Sequence, residues 1–429
     1  MSSRAPSLAP DLEASLRATL GDALTPGDVA YAVDGLVPAF VATPSSVDEL
    51  AAVLAAADAA GAAIVPWGGG THMAMGNAPS RYDLALRTAK LDRVLEYEPA
   101  DLTVTVEAGV PLGTLQALLA GHGQFLPIDA PAEATAGGVL AAGVSGPSSH
   151  AYGLPRDWLL GCRIARADGT RYKGGGRVVK NVAGYDLPKL AVGALGTLGV
   201  IVEATFKVAP LPAAQETLLA RCLSAEQAVA LGFAAAERGL ALRAVAIRQL
   251  HGEAPAAAAA FWLAGPERAV ERTARELAQL AAGANTERLE GAASGAWWAK
   301  LEFAPGPFGG VTLRAALLPS QVSAFILHVA KARSGLTLFA DVVAYPTTGL
   351  VLARVDARDL AALAASVEEL RRPVEGADGS LVLLAAPLEV KRRLDVWGDA
   401  GTALALMRKL KEQFDPRNTL NPGRYVGGI

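Results

Sequence analysis

Cysteine is nearly absent: Cys162 and Cys222 are the only two in 429 residues. Neither belongs to a CxxC pair, so no zinc or iron–sulfur site is encoded, and a reducing compartment, the cytoplasm, fits. Histidine is scarce as well. His72, His122, His150, His251 and His328 lie far apart in sequence. No apolar run reaches the ~20 residues that span a bilayer, and "APAAAAAFWLAG" (254–265) reads instead as a buried strand or helix. The opening "MSSRAPSLAP" lacks the apolar stretch of a secretory signal. A net charge of −3 and a pI near 6.0 force no basic face, which disfavours nucleic acid. Two phosphate motifs are missing. No GxxxxGK[ST] run occurs, and Gly68-x-Gly70 is followed by Met73 where a dinucleotide fingerprint needs glycine.

What is present is apolar and glycine-rich. With 52% hydrophobic and 19% charged residues the chain is globular, and its length suits two or three domains. "PSSVDELAAVLAAADAAG" is a capped helix, with Ser46 and Glu49 at capping-box spacing and Gly61 past its end. "AAIVP", "DLALRT" and "DRVLEYEP" read as strands. "DLTVTVEAG" alternates Leu102, Val104 and Val106 with Thr103, Thr105 and Glu107, a strand with two distinct faces. "PLGTLQALLAG" is a helix from Pro111 to Gly121. A hairpin turns at Asp168-Gly169, and a strand covers 200–208. After "APLP" glycine thins out, and helical and strand patterns alternate, as in "PERAVERTARELAQLA" and "GLVLARVDA". The tail "FDPRNTLNPGRY" is rich in turn-forming pairs, as expected of a segment pinned to something.

Three glycine-dense segments stand out: "PWGGGTHMAMG" (66–76), a loop at 135–146 and "GALGTLG" (193–199). Glycine admits positive φ and bare N–H groups, and consecutive N–H groups form an anion nest. A glycine loop alone is more often a tight turn. Three in one domain of about 180 residues suit a long ligand wrapped by several loops, such as a pyrophosphate-bridged dinucleotide.

Together with "PAEATAGGVLAAGVSGP", "GLPRDWLLGCRIARADGT" and "GGGRVVKNVAGYDLPKLAVGALGTLGVI", these loops resemble the flavin-binding domain of the vanillyl-alcohol-oxidase/p-cresol-methylhydroxylase (PCMH) superfamily. The 174–201 motif and the tail "FDPRNTLNPGR" resemble one branch, the FAD-binding E subunits of bacterial glycolate oxidases. The resemblance implies an α+β protein. An N-terminal helical segment (1–37) precedes a PCMH-type FAD-binding domain of two α/β subdomains (38–212). An α+β cap or substrate domain (213–405) and a C-terminal segment returning to the FAD domain (406–429) follow. It implies non-covalent FAD, with Trp67, Gly68, Gly69, Gly70 and Thr71 at the pyrophosphate and Gly76 completing that loop. Pro131, Thr135, Gly137, Gly138, Ser145 and Gly146 would line a second flavin loop. Gly196, Gly199, Val200 and Ile201 would set backbone against the flavin or ribityl chain, and Asn421 and Gly423 would reach the ring.

The resemblance further implies a complex that converts glycolate to glyoxylate. A catalytic flavin subunit and an iron–sulfur subunit would be its partners and a small 2-hydroxy acid its substrate. The chain itself would have no membrane segment, and would be cytoplasmic or held at the inner membrane by partners. Relatives that attach FAD covalently place a histidine directly after the glycines. Thr71 stands there, and His72 comes one position late. Oxidising a hydroxy acid needs a carboxylate clamp and a base. The family's catalytic chains have a histidine cluster that holds a metal, and these scattered histidines do not form one, so no metal site is expected. Arg248, His251 and Arg314 are the remaining polar candidates, with surface roles the simpler reading for both arginines. Two alternatives stay open: a stand-alone FAD-dependent dehydrogenase for an acid such as D-lactate, and a structural subunit with a degenerate flavin site. Arg156-Asp157 reads as a structural ion pair, Trp297-Trp298 as core. Lys180, Asn181, Tyr185 and Asp186 suit a buried hydrogen-bond network or a subunit interface.

Overall fold

A computed structural model describes residues 8–177, 185–249, 257–299, 301, 310–332, 339–357 and 359–429. The chain forms two compact units. The first comprises Met1–Val144, Leu154–Pro210 and Asp399–Ile429, the second Ser145–Gly153 and Leu211–Gly398. The N-terminal segment is part of the first unit's core rather than a separate piece. Leu12, Leu16 and Leu20, one stripe of the helix Pro10–Leu20, join Leu50, Val53 and Leu54 in a single apolar cluster.

Along the first unit run strands β1 (Leu24–Pro26), β2 (Phe40–Ala42), β3 (Ile64–Trp67), β4 (Leu84–Arg87), β5 (Val94–Glu98) and β6 (Thr103–Glu107). Then come β7 (Gln124–Phe125), β8 (Leu159–Ala165), β9 (Arg171–Gly175), β10 (Val200–Lys207) and β11 (Ala209–Pro210). They pair as a four-stranded sheet β1-β2-β4-β3, a five-stranded sheet β5-β6-β10-β8-β9 and a short ribbon β11-β7. β3 and β4 are parallel, so a crossover joins them, and that crossover contains the first glycine loop. The five-stranded sheet is antiparallel throughout. In β6 the alternation puts Val104 and Val106 in the core, yet Thr105 and Glu107 are buried too. Thr105 Oγ1 meets Thr205 Oγ1 at 3.0 Å, and Glu107 holds Arg93. The polar face of this strand is thus satisfied by partners rather than by water.

Local signals act as their chemistry requires. Ser46 caps the helix Val47–Ala59 by accepting from Glu49 N at 3.2 Å. The Glu49 carboxylate reaches back one residue further than a capping box prescribes, to Ser45 N at 2.7 Å. At the β8–β9 hairpin Gly169 adopts φ +80°, a value that a residue with a side chain rarely adopts.

The second unit carries β12 (Ala214–Cys222), β13 (Leu242–Gln249), β14 (Ala257–Gly265), β15 (Asn285–Glu290), β16 (Val311–Ala316), β17 (Phe339–Tyr345), β18 (Leu350–Asp356) and β19 (Ser380–Ala385). Helices Ala225–Glu237, Glu267–Leu280, Val322–Ala332 and Leu360–Glu375 follow β12, β14, β16 and β18. The unit is therefore two βαββαβ motifs, β12 to β15 and β16 to β19. They fuse through antiparallel β13–β17 pairing into one sheet, β15-β12-β14-β13-β17-β18-β16-β19. Val245, Ile247, Phe261, Leu313, Val351 and Leu383 lie in one core cluster with Val229, Val270, Val322 and Leu363 of the helices. One face of the sheet is thus devoted to that helix-covered core.

Candidate functional site

The first unit contains a cleft enclosing about 690 Å³ of empty space, part of it open to solvent. Its wall is built from four stretches. Pro66 to Met73 leave the end of β3. Gly137, Gly138, Ala141 and Ala142 lie on the short helix Ala136–Ala142. Leu195, Gly196, Val200 and Ile201 lead into β10. Asn421 and Arg424 come from the C-terminal segment. Thr88 and Ala108 complete it.

The C-terminal segment is held there by a ladder. Ile64 N donates to Thr419 O, and Asn421 N to Ile64 O, so the tail lies parallel beside β3 through a single bridge at Ile64 and Leu420. Asp415, 1% exposed, accepts from Thr419 N at 2.9 Å, from Leu420 N at 2.8 Å and from Lys411 Nζ at 2.6 Å. Lys411 also donates to Thr197 O at 3.0 Å and Leu420 O at 2.8 Å, tying the tail to the 193–199 loop. Asn421, at φ 47°, donates its side-chain amide to Leu195 O. Arg424 is 3% exposed. Its NH2 donates to Met73 O and Met75 O, both at 2.7 Å, and its NH1 to Asn421 Oδ1 at 3.2 Å. Burial pulls its pKa down to about 10, against the pull of Asp34 and Tyr82, so it stays cationic at neutral pH.

The glycines at 68–70 are needed for a reason other than room for a ligand. A Cβ on Gly69 would lie 2.1 Å from Glu133 O, and one on Gly68 would lie 2.2 Å from Thr135 Oγ1. Their missing side chains let the chain's own 133–138 segment approach. A ligand would meet the amides instead. Among the described residues, none of the six N–H groups from Gly68 to Met73 donates to a protein acceptor. Six consecutive free donors along a cleft suit an anion. The same loop is braced by Trp67, whose Nε1 donates to Tyr82 Oη at 2.8 Å, and Tyr82 donates to Tyr31 O at 2.9 Å. A row of free amides beside an apolar wall of Val200, Ile201, Ala141 and Ala142 is a lining that suits an anionic group joined to a planar ring.

The expected contact residues divide accordingly. Trp67, Gly68, Gly69, Gly70, Thr71, Gly137, Gly138, Gly196, Val200, Ile201 and Asn421 line the cleft. Pro131, Thr135, Gly76, Gly199 and Gly423 stand behind the lining. Thr135 caps the short helix by accepting from Gly138 N, Pro131 accepts a turn bond from Ala134 N, and Gly76 packs against Arg424 O. Gly199, at φ 150°, lies against Ile164, and Gly423 against Ser80. Ser145 and Gly146 belong to the second unit, where Gly146 O accepts from Ser149 N and Oγ. Arg424 and Thr88 are lining residues that loop chemistry did not single out. The Arg424 signal was an arginine in a tail already expected to return.

In the second unit Arg248 and Arg314 are on interior strands, not at a sheet edge. Arg248 opposes Val343, Asp341 opposes Arg354, and Arg354 opposes Thr312, two residues from Arg314. Residues that oppose or alternate by two share a face, so these three arginines, Asp341 and Thr312 occupy the face away from the helix-covered core. Arg354 was missed. Only the strand register reveals it. His251, Lys180 and Asn181 lie outside the described residues. Tyr185 is 91% exposed and Asp186 pairs with Lys189 at 2.7 Å, so neither enters a buried network. Arg156 and Asp157 form a half-exposed pair at 4.0 Å. Trp298 is core, stacked on Trp262 and bonded to Thr217 at 2.7 Å, with Trp297 edge-on to it.

Known proteins resemble this chain in sequence and in fold. Residues 38–175 match the family "FAD binding domain", and 398–425 match "FAD linked oxidases, C-terminal domain". The chain is 44% identical to glycolate oxidase subunit GlcE of Escherichia coli over 128 residues, which is 29% of this chain and 37% of that protein. It is 34% identical to glycolate oxidase subunit GlcD of Bacillus subtilis over 186 residues (43% and 40%). It is 33% identical to D-2-hydroxyglutarate dehydrogenase of Xanthomonas citri over 184 residues (42% and 39%). The matched region thus spans well under half the length of these relatives. The fold matches p-cresol methylhydroxylase with a TM-score of 0.76 at 16% identity, covering 97% of each chain. It matches alkyldihydroxyacetonephosphate synthase with a TM-score of 0.75 at 17% identity, covering 98% of this chain and 86% of the other. The chain carries the domains of an FAD-dependent oxidoreductase on the fold of p-cresol methylhydroxylase, and its cofactor is FAD.

Proposed function

We propose that this chain is the FAD-carrying subunit of a glycolate-oxidising complex. In that reading glycolate becomes glyoxylate on a separate catalytic chain, and the electrons pass through flavin and an iron–sulfur partner. The observation that carries it is the FAD cleft, together with 44% identity to a glycolate oxidase subunit over 128 residues. Bound FAD supplies a two-electron acceptor. The chain's own part is to hold it: the Gly68–Met73 amides would receive the diphosphate, Arg424 ties that loop to the tail, and the apolar wall would keep water from the ring. The described histidines favour a dependent role, because they are dispersed. His72 is in the cleft, His122 lies edge-on to Tyr97, His150 bonds Thr347, and His328 is on the helix Val322–Ala332.

A second reading, oxidation of a 2-hydroxy acid by this chain alone, has one observation in its favour. The Arg248, Arg314 and Arg354 face is the kind of surface that clamps a carboxylate. Anaerobic absorbance titration with glycolate separates the two. Flavin that bleaches only after partner subunits are co-expressed supports the dependent role. Bleaching of the isolated chain, abolished by Arg354→Gln, supports the second reading and removes the first.

A further inference from the structure

Among the residues lining the FAD cleft, only His72 and Arg424 carry ionisable side chains. Arg424 is a permanent cation at neutral pH, and its guanidinium is directed to Met73 O, Met75 O and Asn421 Oδ1. His72 differs. Its Nδ1 lies 2.9 Å from Thr71 Oγ1, and among the described residues its Nε2 has no hydrogen-bond partner. It sits inside the run of six free amides, one residue past the Gly68–Thr71 stretch.

Burial lowers the His72 pKa, so the imidazole is neutral in the free chain at neutral pH. FAD changes that environment, because its diphosphate brings two negative charges that stay ionised throughout the neutral range. A neighbouring anion stabilises the imidazolium. Among the described residues lining the cleft, the other charged group is Arg424, whose positive charge would count against a second cation there, and Asp34 acts on Arg424.

We propose that His72 binds a proton as FAD binds, becoming the second cation of the diphosphate site. The proton comes from solvent, goes to the imidazole, and forms no covalent link to the flavin. The sign follows from linkage. The complex holds more protons than the free chain, so FAD affinity falls as pH rises. Between the pKa of His72 in the free chain and its pKa in the complex, the fall approaches tenfold per pH unit. Below and above that window the affinity is flat.

The inference rests on the FAD assignment and not on the glycolate reading. It is tested by calorimetric titration of FAD into the apoprotein at pH 7 in PIPES and in Tris, buffers of very different ionisation enthalpy. Wild type should show heats that differ between buffers, corresponding to uptake of up to one proton. His72→Gln should give equal heats and a pH-independent affinity. Equal heats in wild type, or unchanged proton uptake in the variant, would overturn the inference while leaving FAD binding intact. No binding at any pH would overturn the cofactor assignment as well. If the variant does not fold, an NMR titration of His72 in the FAD-loaded wild-type chain decides. A pKa above that of free histidine supports the proposal, and one below it refutes it.

Discussion

Asp415→Asn tests how the tail completes the cleft. Asp415 is buried and accepts three hydrogen bonds, from Lys411 Nζ, Thr419 N and Leu420 N. The amide removes the counter-charge of Lys411, which is itself buried. It also aims N–H groups at donors. Removing one partner of a buried pair costs ~3–5 kcal/mol, a large share of the ~5–15 kcal/mol that holds a domain together. The loss should be local first. Thr419 and Asn421 exchange backbone bonds with Ile64, and Asn421 and Arg424 line the cleft, so a loosened tail opens one wall. Lys411→Met leaves Asp415 with its two backbone donors and should cost less. The double variant should cost less than the two single effects summed, because the uncompensated charge is gone. Hydrogen exchange at Thr419, Leu420 and Asn421 and urea unfolding with FAD present read the effect. Unchanged exchange, or a stability loss under ~1 kcal/mol, would show that the pair behaves as a surface pair does and that the ladder argument is wrong.

Gly69→Ala should weaken FAD binding about 5- to 150-fold, matching ~1–3 kcal/mol of overpacking against Glu133 O. Gly123→Ala, where nothing lies within 4 Å of the new Cβ, should leave FAD affinity unchanged in the same fluorescence titration. Arg424→Met frees Met73 O and Met75 O and should weaken FAD binding at least about tenfold, since charged hydrogen bonds are worth ~1.5–3 kcal/mol each. An unaltered affinity would remove Arg424 from the site. Cys162, pushed up to about 12 by burial, should resist Ellman's reagent at pH 8 until the chain unfolds. Rapid labelling of the native protein would contradict that burial.

Much of the cofactor unit was legible because its signals are local. The Ser46 cap, the β6 alternation and the Asp168-Gly169 turn each depend on residues within a few positions. The glycine loops were legible as a site, but the reason for them was not. Only the fold brings Glu133 and Thr135 against Gly69 and Gly68. Arg424 and Asn421 reach the cleft through a ladder with Ile64, more than 350 residues earlier, and no spacing rule encodes such a pairing. Arg354 was invisible for the same reason. It joins Arg248 and Arg314 through the register of four strands. Ser145 and Gly146, which the family resemblance put on a second flavin loop, fall in the second unit, since the chain changes units after Val144.

The most direct test of the central claim is the flavin content of the purified chain after acid precipitation. The account requires about one FAD per chain, released into the supernatant and identified by its absorbance. A colourless protein that takes up no added FAD would contradict the cleft assignment. Colour that stays with the pellet would contradict non-covalent binding and make His72 the first residue to replace.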